Sequence, residues 1–138
     1  MSKSNRRIGV IINYACVLLS LVFFYFGKYN GWTDMMTVVT ILVLVSALVS
    51  FVVLHIKTHL WRLVHTRADK LDERQIQVTH ESLRYAYGIF SVISLLVLLV
   101  IALLAGENDS MLILIFASLL YLAHTLPSSI IAWTEKEV

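Results

Sequence analysis

Residues 35–56, MMTVVTILVLVSALVSFVVLHI, are 22 positions without one Asp, Glu, Lys or Arg. A helix rises about 1.5 Å per residue, so a run of this length covers the ~30 Å hydrocarbon layer of a bilayer. Backbone amides in lipid must be satisfied within the segment, which leaves a helix as the reading of so long a run. Three further stretches repeat the pattern: 8–27, 85–106 and 110–134, of 20, 22 and 25 residues, carry no formal charge either. The chain of 138 residues is 59% hydrophobic and 14% charged, whereas an average soluble domain is about 25% charged. This pattern predicts an all-α fold, a four-transmembrane-helix bundle forming a single integral membrane domain over 1–138. The helices are expected at about 8–27, 35–56, 85–106 and 110–133.

A cleavable signal peptide is the competing reading of the first run, since Lys3, Arg6 and Arg7 precede it. The run is longer than an ordinary signal core, and Phe23, Phe24, Tyr25 and Phe26 stand where small cleavage-site residues belong. It therefore reads as the first helix. The single cysteine, Cys16, forms no internal disulfide and says nothing about redox compartment.

Loop Lys and Arg residues are retained on the cytoplasmic side of a membrane. Lys3, Arg6 and Arg7 precede the first helix; Lys57, Arg62, Arg67, Lys70, Arg74 and Arg84 lie between the second and third; Lys136 follows the fourth. Ten of the eleven basic residues thus fall on one side, and Lys28 stands on the other with Asp34, Glu107 and Asp109. An N-in, C-in topology in the cell membrane follows, with both termini cytoplasmic. The net charge of +2 expresses that sidedness, and no nucleic-acid footprint is present. Thr33 or Asp34, and Asp109 or Ser110, are the residue types that cap a helix start, so each outer turn should close a tight hairpin.

No glycine or proline lies between Trp32 and Tyr87, so nothing intrinsic stops the second helix at the membrane surface. Ile56, Leu60, Leu63 and Val64 continue an apolar stripe. A fresh helix start appears near Asp69, where Asp72 with Gln75 forms a capping box. Leu71, Val78 and Tyr85, with Ile76 and Leu83, recur at heptad spacing as a packing seam. These features predict a cytoplasmic helical hairpin over about 55–84 that turns around 66–70. The alternative is a pair of amphipathic helices along the headgroups, anchored by Trp61. The motif Leu71-Asp72-Glu73-Arg74-Gln75, placed just before the third transmembrane helix, resembles a family of uncharacterised small prokaryotic integral membrane proteins. They share four helices and an Asp-Glu-Arg-Gln or Asp-Glu-Arg-Glu signature there. The resemblance implies the four-helix architecture and carries no activity across.

Candidate chemistry is sparse. His55 and His59, four apart on a helix, are residue types that share a metal or haem iron. A zinc site would need further ligands such as His80 or Glu81, and the alternative places both histidines at the headgroup boundary. His124 lies inside the fourth span, about 16 Å along the helix from Glu135. Pro127 has no N–H to give the carbonyl of Ala123, so His124, Ser128, Asn13 and Tyr14 could line a small polar ligand pocket. A hydrogen-bonded kink holding helices together explains the same residues. Ser46 with Ser50, and Ala102 with Gly106, have the spacing of close helix contacts and of a homo-oligomer face. Asp72, Glu73, Arg74 and Gln75 form the candidate interaction surface, with structural pairing across the hairpin as the competing use.

No span holds an Asp or Glu, which argues against carboxylate-coupled export. No Cys-x-x-Cys, phosphate loop or nucleophile motif is visible either. The expectation is a non-enzymatic membrane protein, without catalytic residues or cofactor. It would serve as an accessory subunit or membrane-bound regulator, its partners being the lipid bilayer and a membrane or cytoplasmic protein. The alternative is a small transporter or a haem- or metal-binding bundle using His124.

Overall fold

The computed structural model describes residues 1–104 and 110–135, with helical backbone alone for 102–104 and 110. Among the described residues four helices are long and apolar enough to cross a membrane, the make-up of a multi-pass membrane protein. They are α1 (Lys3–Asn30), α2 (Asp34–Phe51) with the π-helical turn Val52–Ile56, α4 (Glu73–Leu104) and α5 (Ser110–Thr134). Between the second and third spans lie the short α3 (Leu60–His65) and a 3-10 turn (Ala68–Lys70). No strand occurs among the described residues. α1 packs against α2 and α5, α5 against α4, and α3 against α5.

Side chains that accept from free first-turn amides set the helix starts. Ser2 Oγ accepts from the Asn5 amide at 3.3 Å, so α1 starts earlier than the charge-free run. Thr33, rather than Asp34, caps α2 and accepts from Met36 N at 3.2 Å. The capping box at α4 is formed: Gln75 N donates to Asp72 Oδ1 at 2.7 Å, and Asp72 N donates to Gln75 Oε1 at 3.3 Å. The helix therefore begins at Glu73 and not near Asp69. The turn before α5 and the Ala102–Gly106 pair fall outside the described side chains.

Gly31 ends α1 with φ 86°, a conformation that suits a residue without Cβ. The turn folds Trp32 back over Gly27, where an added Cβ would lie 2.9 Å from ring carbons. Phe24 meets the same indole edge-on, with centroids 5.6 Å apart. Gly27→Ala is accordingly expected to destabilise the α1–α2 hairpin by about 1–3 kcal/mol, because a rigid ring must move. Detergent unfolding followed by Trp fluorescence checks this; unchanged stability would show that the indole has free room.

The second span ends differently from the sequence expectation. It does not run on unbroken: Lys57 N donates to Val52 O at 3.0 Å in a π turn, Thr58 Oγ1 donates to Leu54 O, and His59 adopts φ 61°, ψ 7°. A left-handed non-glycine residue costs roughly 1–2 kcal/mol. The offset is burial of the next residue. Leu60 is fully buried with Val10, Leu54, Ile131 and Ala132, and Tyr14, Leu63, Val64 and Val78 pack around them. Tertiary burial thus supplies the break that no Gly or Pro supplies locally.

The heptad seam also needs correction. Leu71 and Val78 are half-buried, but Leu83 and Tyr85 are exposed. Among the described residues the buried positions of α4 are Thr79, Ser82 and Ala86, small residues that let a neighbouring helix approach closely. Apolar periodicity overlooked them because two of the three are polar.

Candidate functional site

Two polar assemblies stand out, one inside the helix bundle and one at its basic end. The inner one begins at Asn13, which is fully buried on α1. Its amide donates to Ser50 Oγ at 2.8 Å and to Ala47 O at 3.1 Å, while Tyr121 OH donates to Asn13 Oδ1 at 2.7 Å. One side chain thereby ties α1 to both α2 and α5. One residue along α1, Tyr14 OH lies 3.2 Å from Thr125 Oγ1 and 2.9 Å from Ser129 Oγ. Thr125 Oγ1 gives its own proton to Tyr121 O at 2.9 Å, so it accepts from Tyr14, which in turn accepts from Ser129.

The belt continues through His55 and Ser128, both fully buried, with Ser128 Oγ 2.8 Å from His55 Nδ1. Ser128 Oγ donates to Thr125 O at 2.9 Å; with that proton placed, Nδ1–H of His55 is the donor to Ser128. The other ring nitrogen, Nε2, is buried and has no hydrogen-bond partner among the described residues. Phe51 lies against the imidazole at 5.2 Å between centroids and also contacts Trp61 and Tyr121.

Of the four residues expected to line a pocket, the structure brings Asn13, Tyr14 and Ser128 into this belt and leaves His124 out. His124 is exposed on the other side of α5, and its Nδ1 lies 2.9 Å from Leu120 O of its own helix. The i, i+4 relation between His55 and His59 is also broken, since the π-helical turn ends at Ile56, between them, and His59 is exposed in its left-handed turn. Among the described residues no group of three His, Cys, Asp or Glu side chains could hold a metal ion. Ser50 joins the belt, whereas Ser46 is exposed and donates to Leu42 O. Sequence reading missed His55 as an inner group, together with Tyr121. The available signal was the run of Tyr121, Thr125, Ser128 and Ser129, which recurs at helical spacing on one face of α5.

The second assembly is built on the end of α5. Its last carbonyls have no partners within the helix and carry the negative end of its dipole, so cations suit them. Lys3 Nζ donates to Thr134 O at 2.6 Å, Arg6 Nη2 to Glu135 O at 2.6 Å, and Arg7 Nε to Trp133 O at 3.1 Å. The Arg7 guanidinium also lies over the Trp133 ring, 5.0 Å from its centroid. Basic residues that read as topology signals thus also fasten α1 to α5.

Asp72, Glu73, Arg74 and Gln75 are exposed at the same end. Asp72 and Gln75 are held in the capping box, and Arg74 Nη2 lies 3.5 Å from Glu135 Oε2. Asp72, Arg74 and Gln75 line a half-open cleft of about 740 Å³ that α3 and the last turn of α5 complete. Trp61 stacks on His65 at 4.1 Å and meets Phe51 at 5.5 Å.

Fold and sites together describe an all-helical, multi-pass membrane protein with an inner polar belt and a basic end cleft. No family model, curated protein or solved structure matches the chain.

Proposed function

We propose that the protein is a non-enzymatic accessory subunit or membrane-bound regulator of the cell membrane, N-in and C-in, acting through segment 55–84 on the cytoplasmic side. The observation that carries this reading is the way the helix ends converge. Lys3, Arg6 and Arg7 of α1 meet the end of α5, and Arg74 of α4 meets Glu135, so one end gathers the basic residues together with segment 57–75. Lys and Arg concentrated at one end mark the cytoplasmic face. The inner hydroxyl and amide groups, by contrast, largely satisfy one another, as helix-joining contacts do. Within segment 57–75, Arg62, Lys70 and Glu73 are exposed, so a partner could reach them without dismantling the cap.

A photo-crosslinking amino acid placed at Glu73 or Arg62 is expected to give a discrete protein adduct in intact cells, while one at the exposed, span-embedded Val92 gives none. Adducts from Val92 alone would sink the proposal. A second reading, a small transporter or cofactor-binding bundle, draws its support from the buried, unpartnered Nε2 of His55 rather than from His124. Its test is loss of a haem or metal absorption band in His55→Leu and its retention in His124→Leu.

A further inference from the structure

We propose that the end cleft binds a phosphate ester carried on an apolar body, with Arg62 and Lys70 holding the phosphate. The cleft measures about 740 Å³, within the range of roughly 300–1,000 Å³ typical of small-molecule sites. Leu63, Leu71, Val78 and Ile131 give it an apolar wall, and charged groups stand around them. Such a lining suits an amphiphile rather than a fully hydrated ion.

The sign of the ligand follows from which charges are already engaged. Among the described residues two carboxylates line the cleft, and both are engaged: Asp72 accepts from Gln75 N at 2.7 Å, and Glu135 lies 3.5 Å from Arg74. The lining hydroxyls are also engaged, since Thr58 and Thr66 donate to carbonyls of their own turns. Arg62 and Lys70 remain, exposed and with no ion-pair partner among the described residues. With Arg62, Lys70 and Arg74 against Asp72 and Glu135, the described lining carries one net positive charge, and the two cations left outside ion pairs, beside an apolar wall, select an anion. A guanidinium fork matches two oxygens of a phosphate, and an ammonium adds a point charge to a third. A cationic or metal ligand would meet net repulsion here.

The cleft lies where the spanning helices end, so the phosphate could come from a membrane lipid or from a soluble metabolite. The experiment separates these sources. The purified chain is incorporated into phosphatidylcholine nanodiscs containing one-tenth phosphatidic acid, and retained lipid is read by native mass spectrometry after release. Glycerol 3-phosphate and inorganic phosphate are titrated in parallel by calorimetry. Arg62→Gln/Lys70→Gln is compared with Lys57→Gln/Arg67→Gln, which removes the same charge from the same segment outside the cleft; all four side chains are exposed, so both variants should fold. The cleft variant is expected to lose about tenfold or more in phosphatidic acid retention, and the control less than about twofold. Cleft-dependent binding of the soluble phosphates without lipid retention would keep the phosphate site and assign it a soluble ligand. Equal losses in both variants, or no binding of any phosphate probe, would overturn the proposal. Cleft occupancy is measured without any protein partner, so its failure leaves the crosslinking result standing.

Discussion

Leu60→Ala is expected to speed trypsin cleavage after Arg62, Arg67 and Lys70 by about 30-fold or more while leaving the four long helices intact. Leu60 is the fully buried residue by which α3 is pinned to the bundle, against Val10, Leu54, Ile131 and Ala132. Truncating a buried Leu to Ala costs about 2–5 kcal/mol. Because α3 has only six residues, it has little helical stability of its own once this contact is lost. The left-handed turn at His59, which burial of Leu60 offsets, then relaxes as well. The opening is local, and cleavage follows the population of the open form when reclosing is fast. A loss of about 2 kcal/mol therefore reads as roughly a 30-fold change. Leu83→Ala, at an exposed position of α4, serves as the control and should leave cleavage unchanged. Cleavage that is as slow in Leu60→Ala as in the control would mean that the segment is held by other contacts, and the cleft would not depend on burial of Leu60.

The four spans were legible because lipid imposes a length and a composition that few other settings require, and residues 35–56 meet both. The starts at Ser2, Thr33 and Asp72 show how far local chemistry reaches. Thr33 and the Asp72–Gln75 pair were readable from residue type and spacing, because a cap is formed within four residues. Ser2 went unread because the first run was bounded by its charges, and a helix readily carries Arg6 and Arg7 at its end. The break at His59 is of another kind. Nothing between Trp32 and Tyr87 interrupts a helix locally, and the left-handed turn exists only because Leu60 finds a hydrophobic site made by α1, the π turn and α5. The inner belt divides the same way. Asn13, Tyr14 and Ser128 stood out as polar groups in apolar runs, but which face of α5 points inward depends on its packing against α1. That packing turns Ser128 and Thr125 in and His124 out. Arg6 shows a third case, in which a residue read for its charge also acts through geometry, as a donor to the end of another helix.

Asn13→Ala should destabilise the bundle by about 2–4 kcal/mol, the largest effect expected of a single polar residue here. Its side chain makes three hydrogen bonds to two other helices. Interhelical hydrogen bonds in membranes average about 0.6 kcal/mol each and reach about 1.7, so three bonds supply roughly 2 kcal/mol. The rest comes from what is left behind. Ser50 Oγ keeps Ala47 O as acceptor at 2.9 Å, but the Tyr121 hydroxyl loses the acceptor it had at 2.7 Å. An unsatisfied buried hydroxyl costs about 1–3 kcal/mol, and the half-buried Tyr121 hydroxyl falls at the low end of that range. That asymmetry makes a specific demand on the double variant: Asn13→Ala/Tyr121→Phe, which removes donor and acceptor together, should be more stable than the sum of the single changes by about 1 kcal/mol or more. Denaturation by dodecyl sulfate in mixed micelles, followed by circular dichroism, measures all three variants. His124→Leu, on the exposed face of the same helix, should lie within about 0.5 kcal/mol of the parent chain. Strict additivity of the two belt changes would show that the Tyr121 hydroxyl finds another acceptor. The belt would then be a set of separate contacts, and Asn13 would lose its place as the residue through which α1 holds α2 and α5 together.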